Sequence, residues 1–321
     1  MDQPSPLVSV CLQTYQHADF LKRSLDSVLE QETSFEFEIL LGEDASKDGT
    51  REICIEYAER YPELIRLFLR ERKDVIYIDK TPTGRFNFIQ NLYNARGRYI
   101  CLLDGDDYFG DPYKLQREFE FLEDHPDYVM CFHRIAKIDI KGSPIKDPLA
   151  QKFYDRDREA GEILWGNMHP ATVMFRNIFL DGFRFPENFL KARLGDVFLY
   201  SILANYGMAK FLQEIEPSRY RIHPGGVWSK DAGIKKLQNR IRSYELMEPH
   251  INSVNMPEYR FILMNFYLDL TIESVKSGKI SDFLRAYVKA LMLSLSGRKH
   301  LKWFILFHFK RRFISEIIKD L

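Results

Sequence analysis

A chain of 321 residues that is 45% hydrophobic, 29% charged and 14% aromatic has enough apolar content for a full-sized core and excludes a disordered protein. Its formal net charge of zero gives no global case for nucleic-acid binding, and no stretch reaches the ~18 apolar residues a spanning helix needs. The charge is uneven, however: residues 283–315 hold no Asp or Glu but eight Lys or Arg, which leaves the rest of the chain at −8 and points to a tail with its own partner.

The opening MDQPSPLVSV lacks the basic-then-apolar pattern of a secretory signal. PLVSVCLQT, β-branched and apolar, predicts a first strand. HADFLKRSLDSVLEQ puts Phe20, Leu21, Ser24, Leu25, Val28 and Leu29 at helical spacing. FEFEILLGED is the next strand, SKDGTREICIEYAERYP a helix stopped by Pro62, and LIRLFLR a third strand. GRFNFIQNLYNAR reads as a helix and GRYICLLDGDD as a fourth strand. DPYKLQREFEFLEDHP is a helix with Pro112 near its first turn and Pro126 past its end, and DYVMCFHRIAKI a fifth strand. This rhythm predicts an α/β fold: a mostly parallel sheet with helices on both faces. Cys11, Cys101 and Cys131 lie in the strands and Cys54 in a helix. With no close pair among them, they read as buried free thiols in a reducing cytoplasm.

Residues 136–165 read as loop and irregular structure, and HPATVMFRN gives a short strand over 171–175. LGDVFLYSILANYG is a helix closed by Gly207. MAKFLQEIEPSRYRIHPGGVWS reads as two short strands and a Gly-rich loop. From about Gly233 the pattern is helical, a C-terminal helical extension.

In parallel sheets, ligands bind beyond the carboxyl ends of the strands. Here three such ends are polar or acidic: QTYQ, GEDASKDGT and DGDD. Asp104, Asp106 and Asp107 crowd like charge that a divalent cation such as Mg2+ or Mn2+ would compensate. The plainer alternative is a solvated turn with Asp107 or Asp111 capping the next helix. Glu43 and Asp44 suit hydrogen bonds to a nucleobase N–H or ribose hydroxyls; Ser46 or Asp48 would equally cap an ordinary helix start.

Together, SVCLQTYQ, ILLGEDASKDGT and YICLLDGDDYF resemble, in order and spacing, the N-terminal signature of the family 2 glycosyltransferases, over at least residues 6–135. Gln13, Gln16 and Glu43 stand where the family usually has proline, asparagine and aspartate. The resemblance implies a GT-A (Rossmann-like) fold, with a catalytic domain over 1–230 (nucleotide-sugar half about 1–135, acceptor half about 136–230) and a helical region over 231–321. It implies that Thr14 and Tyr15 line a nucleotide pocket with Glu43 and Asp44, the latter on the base. Asp104 and Gly105 approach the ribose, and Asp106 holds a divalent metal, Mn2+ or Mg2+, on the diphosphate. Arg85 and Asn91 are the candidates for further nucleotide contacts, or else lie on a solvent-facing helix.

An inverting transfer needs a base for the acceptor hydroxyl. RLGDVFLYSILANYG matches the family's setting for it, with Asp196 as base, although Gly195 replaces the usual Glu. Apart from the resemblance, Asp196 is a helix-start carboxylate favoured by the macrodipole. YRIHPGGVWS resembles a family segment in which His223 would join the metal–diphosphate site. Backbone amides near Gly225 and Gly226 would cradle phosphate, and Trp228 would pack the loop or touch sugar. His169 lies where the acceptor is expected, or is a packed loop histidine.

In the C-terminal RKHLKWFILFHFKRRFISEIIKDL, WFILFHF is flanked by six Lys or Arg, a pattern suited to lying on an anionic membrane surface through residues 298–321 or to packing on protein. The expected protein is a cytoplasmic enzyme, peripheral on the membrane's inner face. It would move a hexosyl or N-acetylhexosaminyl group from a nucleotide-diphosphate sugar, a UDP-sugar in the first instance, to a glycan or lipid-linked acceptor. No nucleic-acid partner is expected, and a homo-oligomer is compatible with the tail. The rival reading is a non-catalytic nucleotide-binding partner or scaffold of a glycan-assembly complex.

Overall fold

The computed structural model describes residues 6–146, 156–224 and 233–309. The chain divides into two compact units. The first comprises Met1–Glu159, Asn167–Pro186 and Tyr206–Pro224; the second comprises Ala160–Gly166, Glu187–Asn205 and Gly225–Leu321.

The first unit is built on β1 (Val8–Thr14), α1 (Leu21–Leu29), β2 (Phe37–Glu43), α2 (Thr50–Arg60), β3 (Ile65–Leu69), a hairpin of β4 (Ile76–Ile78) and β5 (Thr81–Thr83), α3 (Arg85–Asn94), β6 (Tyr99–Asp104), α4 (Lys114–Asp124), β7 (Tyr128–Phe132) and β8 (Ile135–Ile138). After the short α5 (Ala160–Ile163) of the second unit it resumes with β9 (Val173–Arg176), β10 (Met208–Phe211) and β11 (Ser218–Arg221). The seven-stranded sheet has the order β10-β7-β9-β6-β1-β2-β3. Its pairs are parallel except for β9, which runs antiparallel to β6 and β7. This is the mostly parallel α/β sheet expected from the sequence.

β1 and β6 are near-continuous apolar runs because both faces are covered. Val8, Val10 and Leu12 enter a core with Leu21, Leu25 and Val28 of α1, Tyr57 of α2 and Leu115 and Leu122 of α4. On the other face α3 comes so close that β2 has no side chain at Gly42. A Cβ there would collide with the side-chain oxygens of Asn87 and Asn91. Asn87 Nδ2 donates to Gly42 O at 2.7 Å, and Asn91 Nδ2 donates to Leu12 O at 3.2 Å and Leu40 O at 3.3 Å.

Three local expectations are corrected. DYVMCFHRIAKI is two strands: β7 belongs to the central sheet, whereas β8 pairs with β11 in a separate parallel ribbon. The chain turns out of the sheet at the buried His133, whose Nδ1 lies 2.9 Å from Arg134 O. Residues 136–165 are not all irregular, since they contain most of β8 and all of α5. Gly207 does not close the helix before it. That helix, α6 (Gly195–Leu203), ends four residues earlier, and Gly207 lets the chain pass Asp127, whose carbonyl oxygen would sit 2.5 Å from a Cβ.

The four cysteines are free and buried. Cys101 borders a buried ion pair on one face of α4: Lys114 Nζ lies 2.5 Å from Glu118 Oε2 and 3.6 Å from Cys101 Sγ, over the Phe109 ring. Both charged groups are shut off from water. Glu118→Ala strands the ammonium and is expected to cost ~3–5 kcal/mol in urea unfolding, whereas Lys114→Met with Glu118→Leu recovers most of that loss. An Ala variant as stable as the parent would mean that the ammonium finds water.

In the second unit, α6 is buried from Val197 to Leu203, with Asp196 in its first turn. α7 (Gly233–Met247), α8 (Met256–Lys276), α9 (Ile280–Ser294) and α10 (Arg298–Phe309) follow. Tyr244 Oη donates to Leu164 O at 2.5 Å and Tyr259 Oη to Tyr244 O at 2.9 Å, which ties α7 and α8 to the turn after α5. Among the described residues no helix is long and apolar enough to cross a membrane.

Candidate active site

β6, β1 and β2 are parallel neighbours, so their carboxyl ends form one edge. Their register pairs Gln13 with Asp104 and Thr14 with Glu43. The loops beyond β1 and β2 lock together: Gln16 N donates to Ser46 Oγ at 2.9 Å, and Lys47 N donates to Gln16 Oε1 at 3.2 Å. Gln16 (φ 57°) and Ala45 (φ 58°) both adopt left-handed backbone, a strain that tertiary packing must hold at this edge.

The two acidic residues that end β2 differ in kind. Glu43 is fully buried and saturated, accepting from Ser46 N at 2.5 Å and from Arg51 Nε at 2.5 Å. It builds the turn. Asp44 is also buried, but its Oδ1 has no hydrogen-bond partner, while Oδ2 lies 3.5 Å from Arg72 Nη1. Burial pushes the Asp44 carboxyl up to about 6 against the opposing pull of Arg72. The same guanidinium stacks 4.7 Å from the centre of the half-exposed Tyr15 ring.

At the end of β6, Asp104 Oδ1 accepts from Gln13 Nε2 at 2.7 Å. Gly105 N donates to Gln13 O at 2.9 Å; a Cβ on Gly105 would lie 2.5 Å from Thr14 Oγ1 and 3.0 Å from His17 Nδ1. Glycine is needed here for that close approach. Asp106 Oδ2 lies 3.0 Å from His223 Nε2 and 3.8 Å from His17 Nε2. Thr14 Oγ1 sits 3.2 Å from His17 Nδ1 and fixes the ring so that Nε2 faces the carboxylate. β11 delivers His223. Tyr108 and Arg219 exchange backbone hydrogen bonds, Arg221 N donates to Asp107 Oδ1 at 2.9 Å, and Arg221 Nε donates to Asp106 O at 3.1 Å.

Burial pushes the Asp106 carboxyl upward, but the His223 hydrogen bond and the His17 ring outweigh it and hold the group below the usual range. Asp107 goes the other way: burial, then the charges of Asp106 and Asp104, raise it well above that range. His169 Nε2 is 3.7 Å from Asp107 Oδ2, and burial takes this imidazole down to about 4. Burial also lowers His17. Neutral imidazole is the form that ligates a metal. Asp106, His17 and His223 each offer one ligand atom, all within 4.8 Å of one another, and Asp104, Asp106 and Asp107 form an overlapping set. The carboxylate oxygens suit a hard divalent ion such as Mn2+ or Mg2+, and the two imidazoles add nitrogen ligands of the kind transition ions accept.

Of the residues expected from the sequence, Thr14, Gly105, Asp104, Asp106, His169 and His223 lie around this cluster, and Tyr15 and Asp44 occupy the same sheet edge. Asn91 is spent on the sheet and on Arg70, whose Nη2 donates to its Oδ1 at 3.2 Å. Arg85 is buried at the start of α3. Asp196 belongs to the second unit, in the first turn of α6. Gly225, Gly226 and Trp228 lie outside the described residues. Sequence reasoning missed His17 and Arg72. The available signal was position, since His17 follows QTYQ on an edge already marked as a site and Arg72 follows the third strand on the same edge.

The sequence pattern of Glycosyl transferase family 2 matches residues 9–183, more than half of the chain. The chain belongs to this family. The chain is similar to an uncharacterized protein of Mycobacterium tuberculosis, 36% identical over 131 residues, which are 41% of this chain and 36% of that one. The chain thus spans about a third of the length of the curated relatives it matches first. Among solved structures, a mannosyltransferase, PcManGT from Pyrobaculum calidifontis, in complex with GDP-Man and Mn2+, aligns with a TM-score of 0.59 at 15% identity, over 98% of this chain and 87% of that one. S. aureus TarS 1–349 in complex with UDP aligns with a TM-score of 0.52 at 15% identity, over 89% of this chain and 88% of that one. These likenesses establish the fold of this family 2 member as GT-A.

Proposed function

We propose that this protein is a metal-dependent, inverting glycosyltransferase. It would move a hexosyl or N-acetylhexosaminyl group from a nucleotide-diphosphate sugar, with a UDP-sugar as the first expectation, to a hydroxyl of a glycan or lipid-linked acceptor. The observation that carries this reading is one sheet edge holding both a compact Asp106–His223–His17 cluster and, at Asp44, a buried carboxylate oxygen with no partner. β6 and β2 flank β1, so these ends stand two strand spacings apart, roughly 10 Å, a span suited to a nucleoside diphosphate laid across the edge. Family membership supports the reaction class, and complexes of GT-A neighbours with UDP or with GDP-Man and Mn2+ support the ligand class.

In this reading Asp44 accepts a base N–H, with Tyr15, Arg72 and Thr14 shaping the pocket, and Asp104 faces the ribose. Asp106, His223 and His17 would hold Mn2+ or Mg2+, which when bound screens the diphosphate and favours its departure. Asp196 takes the acceptor proton as the hydroxyl oxygen attacks the anomeric carbon, whose bond to the diphosphate oxygen breaks. The catalytic domain would cover 1–230, and residues 298–321 would meet an anionic membrane surface.

The test is calorimetric titration of UDP with Mn2+, followed by assay of UDP-sugars and GDP-mannose for slow hydrolysis. Absence of nucleotide binding overturns the reading. Binding with neither hydrolysis nor transfer favours the scaffold instead. A pH profile adds a sharper prediction. Folding raises the proton affinity of Asp44 from an ordinary value of ~3.9, so ionising it costs the free protein stability as pH rises from roughly 4 to 6. A base N–H offsets that cost, so UDP affinity should fall as pH drops through about 6. Asp44→Asn should flatten the profile, and an unchanged profile would take Asp44 off the base.

A further inference from the structure

α9 packs on one side only. Ala286, Ala290 and Ser294 are buried, whereas Ile280 is 72%, Leu284 56% and Leu295 69% exposed, with Val288 and Leu291 also open to solvent. At about 100° per residue these five exposed residues fall within an arc of about 80°, and the buried set is centred about 120° round the helix. Single exposed apolar side chains are ordinary; a continuous stripe along a 15-residue helix marks an interaction surface. By the same spacing the exposed Met292 widens the arc, Arg285 borders it, and Lys289 lies further round the helix beside Asp282. On α10, Trp303 donates Nε1–H to Asn265 Oδ1 at 3.0 Å yet keeps 44% of its surface exposed, alongside exposed Leu301 and Ile305.

Charge decides what covers the stripe. Residues 283–315 hold eight Lys or Arg and no acid. Among the described residues Arg285, Lys289, Arg298, Lys299 and Lys302 face only Asp282 on α9 and Glu258, which pairs with Lys299 at 2.9 Å, so a second copy docked through the same face would set one net positive surface against its like. An anionic bilayer accepts both the apolar arc and the cations beside it.

We infer that α9 is a membrane-surface helix, its outer apolar arc seated at the headgroup–acyl boundary of an anionic bilayer with Arg285 on lipid phosphate. This extends the membrane reading of residues 298–321 to a separate element, and rests on that reading for the kind of surface engaged.

The test is co-sedimentation of the full chain with vesicles of phosphatidylglycerol and phosphatidylcholine, against phosphatidylcholine alone. Binding to the anionic vesicles is expected, weakening with salt. Leu284→Ser with Val288→Ser and Leu291→Ser should lower partitioning at least about tenfold with the circular dichroism spectrum unchanged. A second variant, Lys310→Ser with Arg311→Ser and Arg312→Ser, tests the tail separately. If the tail variant loses binding and the α9 variant keeps it, the α9 proposal falls and the tail reading stands. If the α9 variant alone loses binding, α9 is supported and the tail reading falls. No binding by the parent chain overturns both. A parent dimer that the α9 variant converts to monomer, with no vesicle binding, also overturns the proposal and makes the stripe a subunit interface.

Discussion

Asp106→Asn is expected to lower sugar transfer by about 10^2–10^3-fold, the scale of removing one group that stabilises developing charge, here through the metal Asp106 would hold. The amide keeps the shape of the carboxylate but removes the one anionic atom that both His223 Nε2 and His17 Nε2 face, at 3.0 and 3.8 Å. Mn2+ affinity, read by titration without donor or acceptor, should fall in parallel. Stability should fall only modestly: the His223 contact that holds the Asp106 carboxyl below its usual range is lost, while Asp107, raised well above that range by burial and then by the charges of Asp106 and Asp104, loses one of those neighbouring charges. A variant that retains transfer and Mn2+ binding would show that the carboxylate serves the fold alone.

Asp196→Asn is expected to cost about 10^2–10^4-fold in kcat, the usual contribution of a positioned general base, while donor affinity and slow donor hydrolysis stay near the parent values. The competing role is local. Asp196 stands in the first turn of α6, where a carboxylate is stabilised by the helix N-terminus. If that were its whole purpose, the variant would lose about 0.3–1 kcal/mol of stability and keep its transfer rate. One account therefore moves the rate and the other the stability, and one preparation with two measurements separates them.

Much of the first unit was legible because parallel strands buried on both faces write themselves as apolar runs, and their helices as 3.6-residue stripes. β1, β2, β3 and β6 and the helices after them lie where those patterns put them. The weaker elements failed for a common reason. β8 follows β7 after only His133 and Arg134, too short a polar break to mark the end of a strand, and the buried turn at His133 sends it to another sheet. The β4–β5 hairpin is two three-residue strands, too short to carry a period.

The sequence by itself determined the sheet, the acidic edge and the family, because each is a local pattern of residue types. Tertiary structure decided which carboxylates are available. Glu43 and Asp44 are adjacent and look alike in sequence, yet Ser46 and Arg51 saturate one while the other keeps an open oxygen. It also decided the composition of the cluster. His17 and His223 lie far from Asp106 along the chain and reach it because β1 pairs beside β6 and β11 bonds to the loop that follows. Those contacts depend on strand register and backbone hydrogen bonds, which fix side-chain positions to within an ångström and leave no periodic trace in the order of residues.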